Sequence, residues 1–158
     1  MANQTTPADT LADQIGALLE QGMTLGDIMD YDERDYEAVY ALGHGFYGQG
    51  RYEDAMKAFG FLVMHNHWEA KYLNAFAASL QMLGRYQDAI QHYSSASLLD
   101  LSDPQPTFHT AECMIPLGML KEAREALGLV VTQCEGVAER AELGARARAM
   151  LDILSRQG

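Results

Sequence analysis

The sequence predicts an all-α protein: a superhelix of three helical hairpins, preceded by an N-terminal amphipathic helix and closed by a C-terminal capping helix. Three observations predict it. The segments GRYEDAMKAF (Gly50 to Phe59), GRYQDAIQHY (Gly84 to Tyr93) and GMLKEAREAL (Gly118 to Leu127) superpose without a gap at a constant step of 34 residues. At the same step, small residues recur at Gly43, Ala77 and Ala111 and at Ala55, Ala89 and Ala123. Large apolar ones recur at Phe46, Leu80 and Met114 and at Phe59, Tyr93 and Leu127. Finally, 48% of the 158 residues are apolar and 21% charged, which is enough apolar side chain for a packed interior and excludes wholesale disorder.

The elements follow in order. Leu11, Ile15, Leu18 and Leu19 place an apolar face on a helix over about residues 8–21. A short turn of helix follows at 24–29 with Thr24 as its cap. The first helices of the hairpins (A) cover about 34–49, 68–83 and 104–117, and the second helices (B) about 52–65, 86–99 and 119–133. Gly50, Gly84 and Gly118 end each helix A, where a left-handed backbone is easiest without a Cβ. A small residue on each helix of a pair lets the two approach closely, while Phe59, Tyr93 and Leu127 fill the space between one pair and the next. Asp103 before Pro104 is a helix cap and first-turn pair. A last helix over 138–156 presents Leu143, Ala147, Met150, Leu151 and Leu154 to the open end. This period and these columns are the pattern of tetratricopeptide repeats. The expected organisation is an N-terminal helical, dimerising segment (1–33), three repeats (34–67, 68–101 and 102–135) and a capping helix (136–158).

Charge narrows the function. Eleven Lys and Arg stand against 22 Asp and Glu, a formal net charge of −11. Such a chain is repelled by phosphate backbones and anionic lipid, so neither nucleic acid nor a membrane surface is an expected partner. No apolar run approaches the ~20 residues of a spanning helix. Met1 to Asp13 is polar, with neither the basic flank nor the apolar core of a leader peptide. Two cysteines, Cys113 and Cys134, suit a reducing compartment. The expectation is a cytoplasmic protein.

Signals of catalysis dissolve on inspection. Gly43-His44-Gly45-Phe46-Tyr47-Gly48 has dinucleotide-site spacing but falls inside a helix with no strand before it. His65 and His67 lack further ligands at usable spacing, and a histidine near a helix C-terminus is favourable for dipole reasons alone. Cys113 reads as a buried, inert thiol. No catalytic residues, cofactor or metal are expected.

Helix A lines the inner side of such stacks, where these proteins bind their partners. The columns that packing leaves free there are Tyr40, Asn74 and Phe108; His44, Ala78 and Glu112; and Tyr47, Gln81 and Ile115. Tyr40, His44 and Tyr47 share one helix face. Aromatic bodies and hydroxyls suit a groove that grips an extended peptide; the alternative is that the tyrosines pack under the N-terminal helix. The expected peptide-binding set is Tyr40, His44, Tyr47, Lys71, Asn74, Ala78, Gln81, Phe108 and Glu112. Gly45 and Gly48 are either close-approach points for a ligand or simple tolerance. The face of Leu11, Ile15, Leu18 and Leu19 either dimerises or folds back on the repeats.

Several stretches carry a more specific likeness. They are Gly22-Met23-Thr24-Leu25, Tyr40-Ala41-Leu42-Gly43 through Tyr47 and Gly50, His67-Trp68-Glu69-Ala70-Lys71-Tyr72, and Asp103-Pro104-Gln105-Pro106-Thr107-Phe108-His109-Thr110-Ala111-Glu112-Cys113. Together, over about residues 15–155, the chain resembles the class II chaperones of type III secretion, which hold hydrophobic translocator proteins before export. The resemblance implies a cytosolic, non-enzymatic bacterial chaperone, often a homodimer through its N-terminal region, that binds a client segment of roughly Pro-x-Leu-x-x-Pro form. Tyr40 and Tyr47 match aromatic groove residues of that family. Thr107 and Thr110 depart from its large apolar residues, so the third repeat is expected to pack less regularly. A general tetratricopeptide adaptor between soluble proteins is the alternative function.

Overall fold

The computed structural model describes residues 17, 18 and 20–156. Residues 17, 18 and 20 are helical. Thereafter come α1 (Leu25–Ile28), α2 (Glu33–Gly48), α3 (Tyr52–His65), α4 (Ala70–Met82), α5 (Tyr86–Leu99), α6 (Gln105–Met114), α7 (Leu120–Cys134), a 3₁₀ turn (Ala138–Arg140) and α8 (Ala141–Ser155). No strand occurs among the described residues. From α2 onward each helix packs on the next in the chain, so α2–α3, α4–α5 and α6–α7 form the three hairpins and α8 lies on α7, while α1 packs on α3.

Local chemistry sets the boundaries. Thr24 and Asp27 cap α1 reciprocally: the Asp27 N–H donates to Thr24 Oγ1 (3.2 Å) and the Thr24 N–H to Asp27 Oδ2 (2.7 Å). Asp32 and Asp35 do the same for α2 (3.0 Å each way). Gly50, Gly84 and Gly118 take φ of +73°, +73° and +75°. At each, the following N–H folds back onto the helix, as in Arg51 N–H to Phe46 O (2.9 Å) and its counterparts Arg85 to Leu80 (2.9 Å) and Met119 to Met114 (3.0 Å). The third helix A is shorter than expected. It ends at Met114 because Pro116 has no N–H to continue it and its ring crowds the preceding turn. At its start, Asp103 Oδ1 accepts from the Gln105 N–H (3.0 Å). The two threonines of α6 are satisfied: Thr110 Oγ1 donates to Pro106 O (2.9 Å), and Thr107 Oγ1 lies 3.3 Å from Ser97 Oγ.

The core runs along the array as three linked clusters rather than one centre. They are built around Phe59 and Leu62, around Leu80 and Tyr93, and around Phe108, Leu127 and Val130. Ala55, Ala77, Ala89, Ala111 and Ala123 are completely buried. Gly43 belongs with them, since a Cβ there would lie 2.5 Å from the Phe59 ring. Phe59, Tyr93 and Leu127 are buried between hairpins, each stabilising the stack by about 1.5–3 kcal/mol. Ala147 and Leu154 of α8 close the last cluster, and Arg124 Nη1 donates to Leu154 O (3.1 Å). Of the N-terminal apolar face, Leu11, Ile15 and Leu19 lie outside the described residues; Leu18 is half-buried.

Candidate functional site

Two cavities, of about 450 and about 340 Å³, open along the A helices. His44, Ala75, Ala78, Tyr93 and His109 line both, so they form one groove crossing all three hairpins. Small residues make it deep: Ala75 and Ala78, one turn apart on α4, leave room that larger side chains would fill.

The expected residues fall into three groups. Tyr40, His44, Lys71, Asn74 and Ala78 line the smaller cavity, and His44, Tyr47, Ala78, Gln81 and Glu112 the larger. The Tyr40 ring packs against His44 (4.5 Å between centroids), Phe59 (5.8 Å) and Tyr72 (5.6 Å). Burial holds its hydroxyl, like that of Tyr47, above the usual tyrosine range, so both are neutral hydrogen-bonding groups at physiological pH. Lys71 spans the first two hairpins: its Nζ donates to Glu37 Oε1 (2.9 Å) and lies 5.3 Å from the Tyr40 ring centre. Asn74 Oδ1 is buried with no partner among the described residues, a free acceptor beside the smaller cavity.

Phe108 differs from expectation. Its column mates Tyr40 and Asn74 reach the groove, but Phe108 is fully buried and lines neither cavity. The reason lies beyond the repeats: α8 closes this end of the array, and its Arg146 guanidinium sits 4.7 Å above the Phe108 ring. His109 takes the place instead, stacked on Tyr93 at 5.3 Å.

At the far end of the groove lies a polar network. Tyr93 Oη donates to Gln81 Oε1 (2.9 Å), Gln81 Nε2 to Glu112 Oε2 (3.4 Å), and His109 Nδ1 lies 2.8 Å from the same oxygen. Arg146 Nη2 is 3.7 Å from Glu112 Oε1. Burial pushes the Glu112 carboxyl upward, but the His109 hydrogen bond and charge, the Gln81 bond and Arg146 outweigh it and hold the group below the ordinary glutamate range. Tyr93, Phe59, Ala75, Met82 and His109 were not among the expected groove residues. Tyr93 and Phe59 pack between the hairpins, as the 34-residue columns predict, and also contribute to the wall of the groove. Ala75 belongs to the column of Ala41 and His109, in which two alanines carry no signal.

Other candidates resolve structurally. The glycine-rich stretch lies within α2. His65 is buried between Phe61 and Tyr31, its Nδ1 donating to Phe61 O (2.7 Å). Cys113 is fully buried and its thiol is pushed up to about 12, leaving no reactive thiolate at neutral pH. Among the described residues no group of His, Cys, Asp and Glu could hold a metal ion, and no helix is long and apolar enough to cross a membrane.

The fold is a tetratricopeptide-type array of helical hairpins with a groove along its A helices, and comparison with known proteins narrows the class. A tetratricopeptide-repeat family profile matches residues 36–68 and 70–100. The chain is 30% identical to low calcium response locus protein H of Yersinia pestis over 98% of its own length and 92% of that protein's. Among solved structures, a type III secretion complex from Aeromonas hydrophila superposes with a TM-score of 0.86 at 34% identity, covering 92% of this chain and 97% of that one. The Yersinia enterocolitica chaperone SycD bound to a peptide of the translocator YopD superposes with a TM-score of 0.76 at 32% identity, covering 80% and 96%. SycD has also been crystallised as an alternative dimer. This chain belongs to the type III secretion translocator chaperones.

Proposed function

We propose that this protein is a cytoplasmic, non-enzymatic chaperone that binds hydrophobic translocator proteins of a type III secretion system and keeps them soluble until export. The observation that carries the reading is the continuous groove shared by two cavities along α2, α4 and α6, on a backbone that superposes on SycD holding a translocator peptide. An extended client segment would set apolar side chains into the two cavities, against Tyr40, Tyr47 and the alanine floor. Its main chain would meet the Tyr40 and Tyr47 hydroxyls. Burying such side chains contributes about 25 cal/mol per Å² without requiring the client to fold. A net charge of −11 keeps the complex dispersed and away from anionic lipid. Dimerisation through the segment bearing Leu11, Ile15, Leu18 and Leu19 is part of the same proposal, and light scattering on a chain lacking residues 1–21 tests it.

Co-expression with the cognate translocator tests the function. A soluble, co-purifying complex is expected, and Tyr40→Ala combined with Tyr47→Ala should weaken it. A client that stays equally soluble and bound with both changes would remove the groove from the account.

A further inference from the structure

The polar end of the groove specifies the chemistry of what enters it. Glu112 stands in the larger cavity, whose lining otherwise consists of aromatic rings, two alanines, Met82 and Gln81, with no lysine or arginine. Its two oxygens are unequally used. Oε2 is engaged by His109 and Gln81, whereas the partner of Oε1 is Arg146 at 3.7 Å, beyond hydrogen-bonding distance. An ionised carboxylate accepts about four hydrogen bonds, so one oxygen is nearly vacant. Arg146 is held loosely: about half of its side chain is exposed (53%), and it rests on the Phe108 ring, where it can remain when drawn from the carboxylate. The first groove lysine, Lys71, is already satisfied by Glu37.

We propose that Glu112 selects client segments bearing a lysine or arginine, which reaches Oε1 from the larger cavity and displaces Arg146. This rests on the groove reading above. A charge-assisted hydrogen bond inside a largely apolar cavity is stronger than its surface equivalent, and the acidic exterior draws basic segments towards the groove.

The test uses the full chain and short apolar peptides in which Lys, Gln or Glu is moved through every position, with affinities read by fluorescence anisotropy. At one position Lys should bind about tenfold more tightly than Gln, an advantage that shrinks with salt. Glu112→Gln should bind the Lys and Gln peptides equally, and Glu112→Lys should favour Glu at that position. Should these variants not fold, as judged by circular dichroism, Arg146→Ala carries the test by raising the Lys-to-Gln ratio. Binding without any preference for Lys, or a preference that survives Glu112→Gln, overturns the proposal while leaving the groove intact. Failure of every peptide to bind overturns the groove reading itself and this proposal with it.

Discussion

Tyr93 and Gln81 face each other across the second hairpin, the tyrosine hydroxyl donating to the amide oxygen at 2.9 Å. One bond thereby joins the packing between hairpins to the polar end of the groove, because the same amide donates to Glu112. Tyr36, in the first hairpin, is the counterexample: its hydroxyl is buried with no partner among the described residues.

The contrast gives a paired prediction. Tyr93→Phe should cost about 1 kcal/mol, a Tm lower by roughly 2–4 °C, since it strands the Gln81 oxygen. Tyr36→Phe should be neutral or stabilising, because it removes a hydroxyl that gains nothing from burial. Thermal denaturation of the two variants checks both signs.

Glycines within α2 should diverge as sharply. A Cβ at Gly43 would strike the Phe59 ring, so Gly43→Ala should destabilise by about 1–3 kcal/mol. Gly45 and Gly48 have open space at the Cβ position, and alanine there should stabilise the helix by about 0.5–1 kcal/mol each. Denaturant titration measures these changes. A Gly48→Ala chain that gains stability yet loses client would show that a ligand passes close to that backbone.

Filling the groove should abolish binding without unfolding the array. Ala78 lines both cavities and is only partly buried, so Ala78→Phe projects into space rather than core. The expected outcome is a chain with near-native circular dichroism whose client affinity falls at least about tenfold by titration.

His92 supplies a pH dependence. Burial holds it below its ordinary value of 6.5, with Asp88 pulling weakly the other way, and its ring packs edge-on to Phe76 at 4.7 Å. The unfolded chain therefore takes up a proton before the folded one does. This part of the stability is complete above about pH 6.5 and is lost as pH falls through the lowered value. Comparing Tm at about pH 7.5 and 5.5, His92→Gln should fall less than the native chain.

What was legible in the sequence was local or periodic. The 34-residue step, the turn glycines at positive φ, the Thr24 cap and the alanine columns each depend on neighbours within a turn or on identical packing in every repeat. Such features survive translation from one hairpin to the next, and so they could be read from a single line of residues. The composition of the groove did not follow so simply. Phe108 occupies the same column as Tyr40 and Asn74, yet it is buried because the array ends beside it and Arg146 of α8 covers its ring. His109 lines the groove beside it, from the column of Ala41 and Ala75, and Ala75 lines it too. The translational rule assumes that every repeat has a like neighbour on both sides. The last repeat does not, and which side chains reach the groove there was decided by packing against α8, a long-range contact that no period encodes.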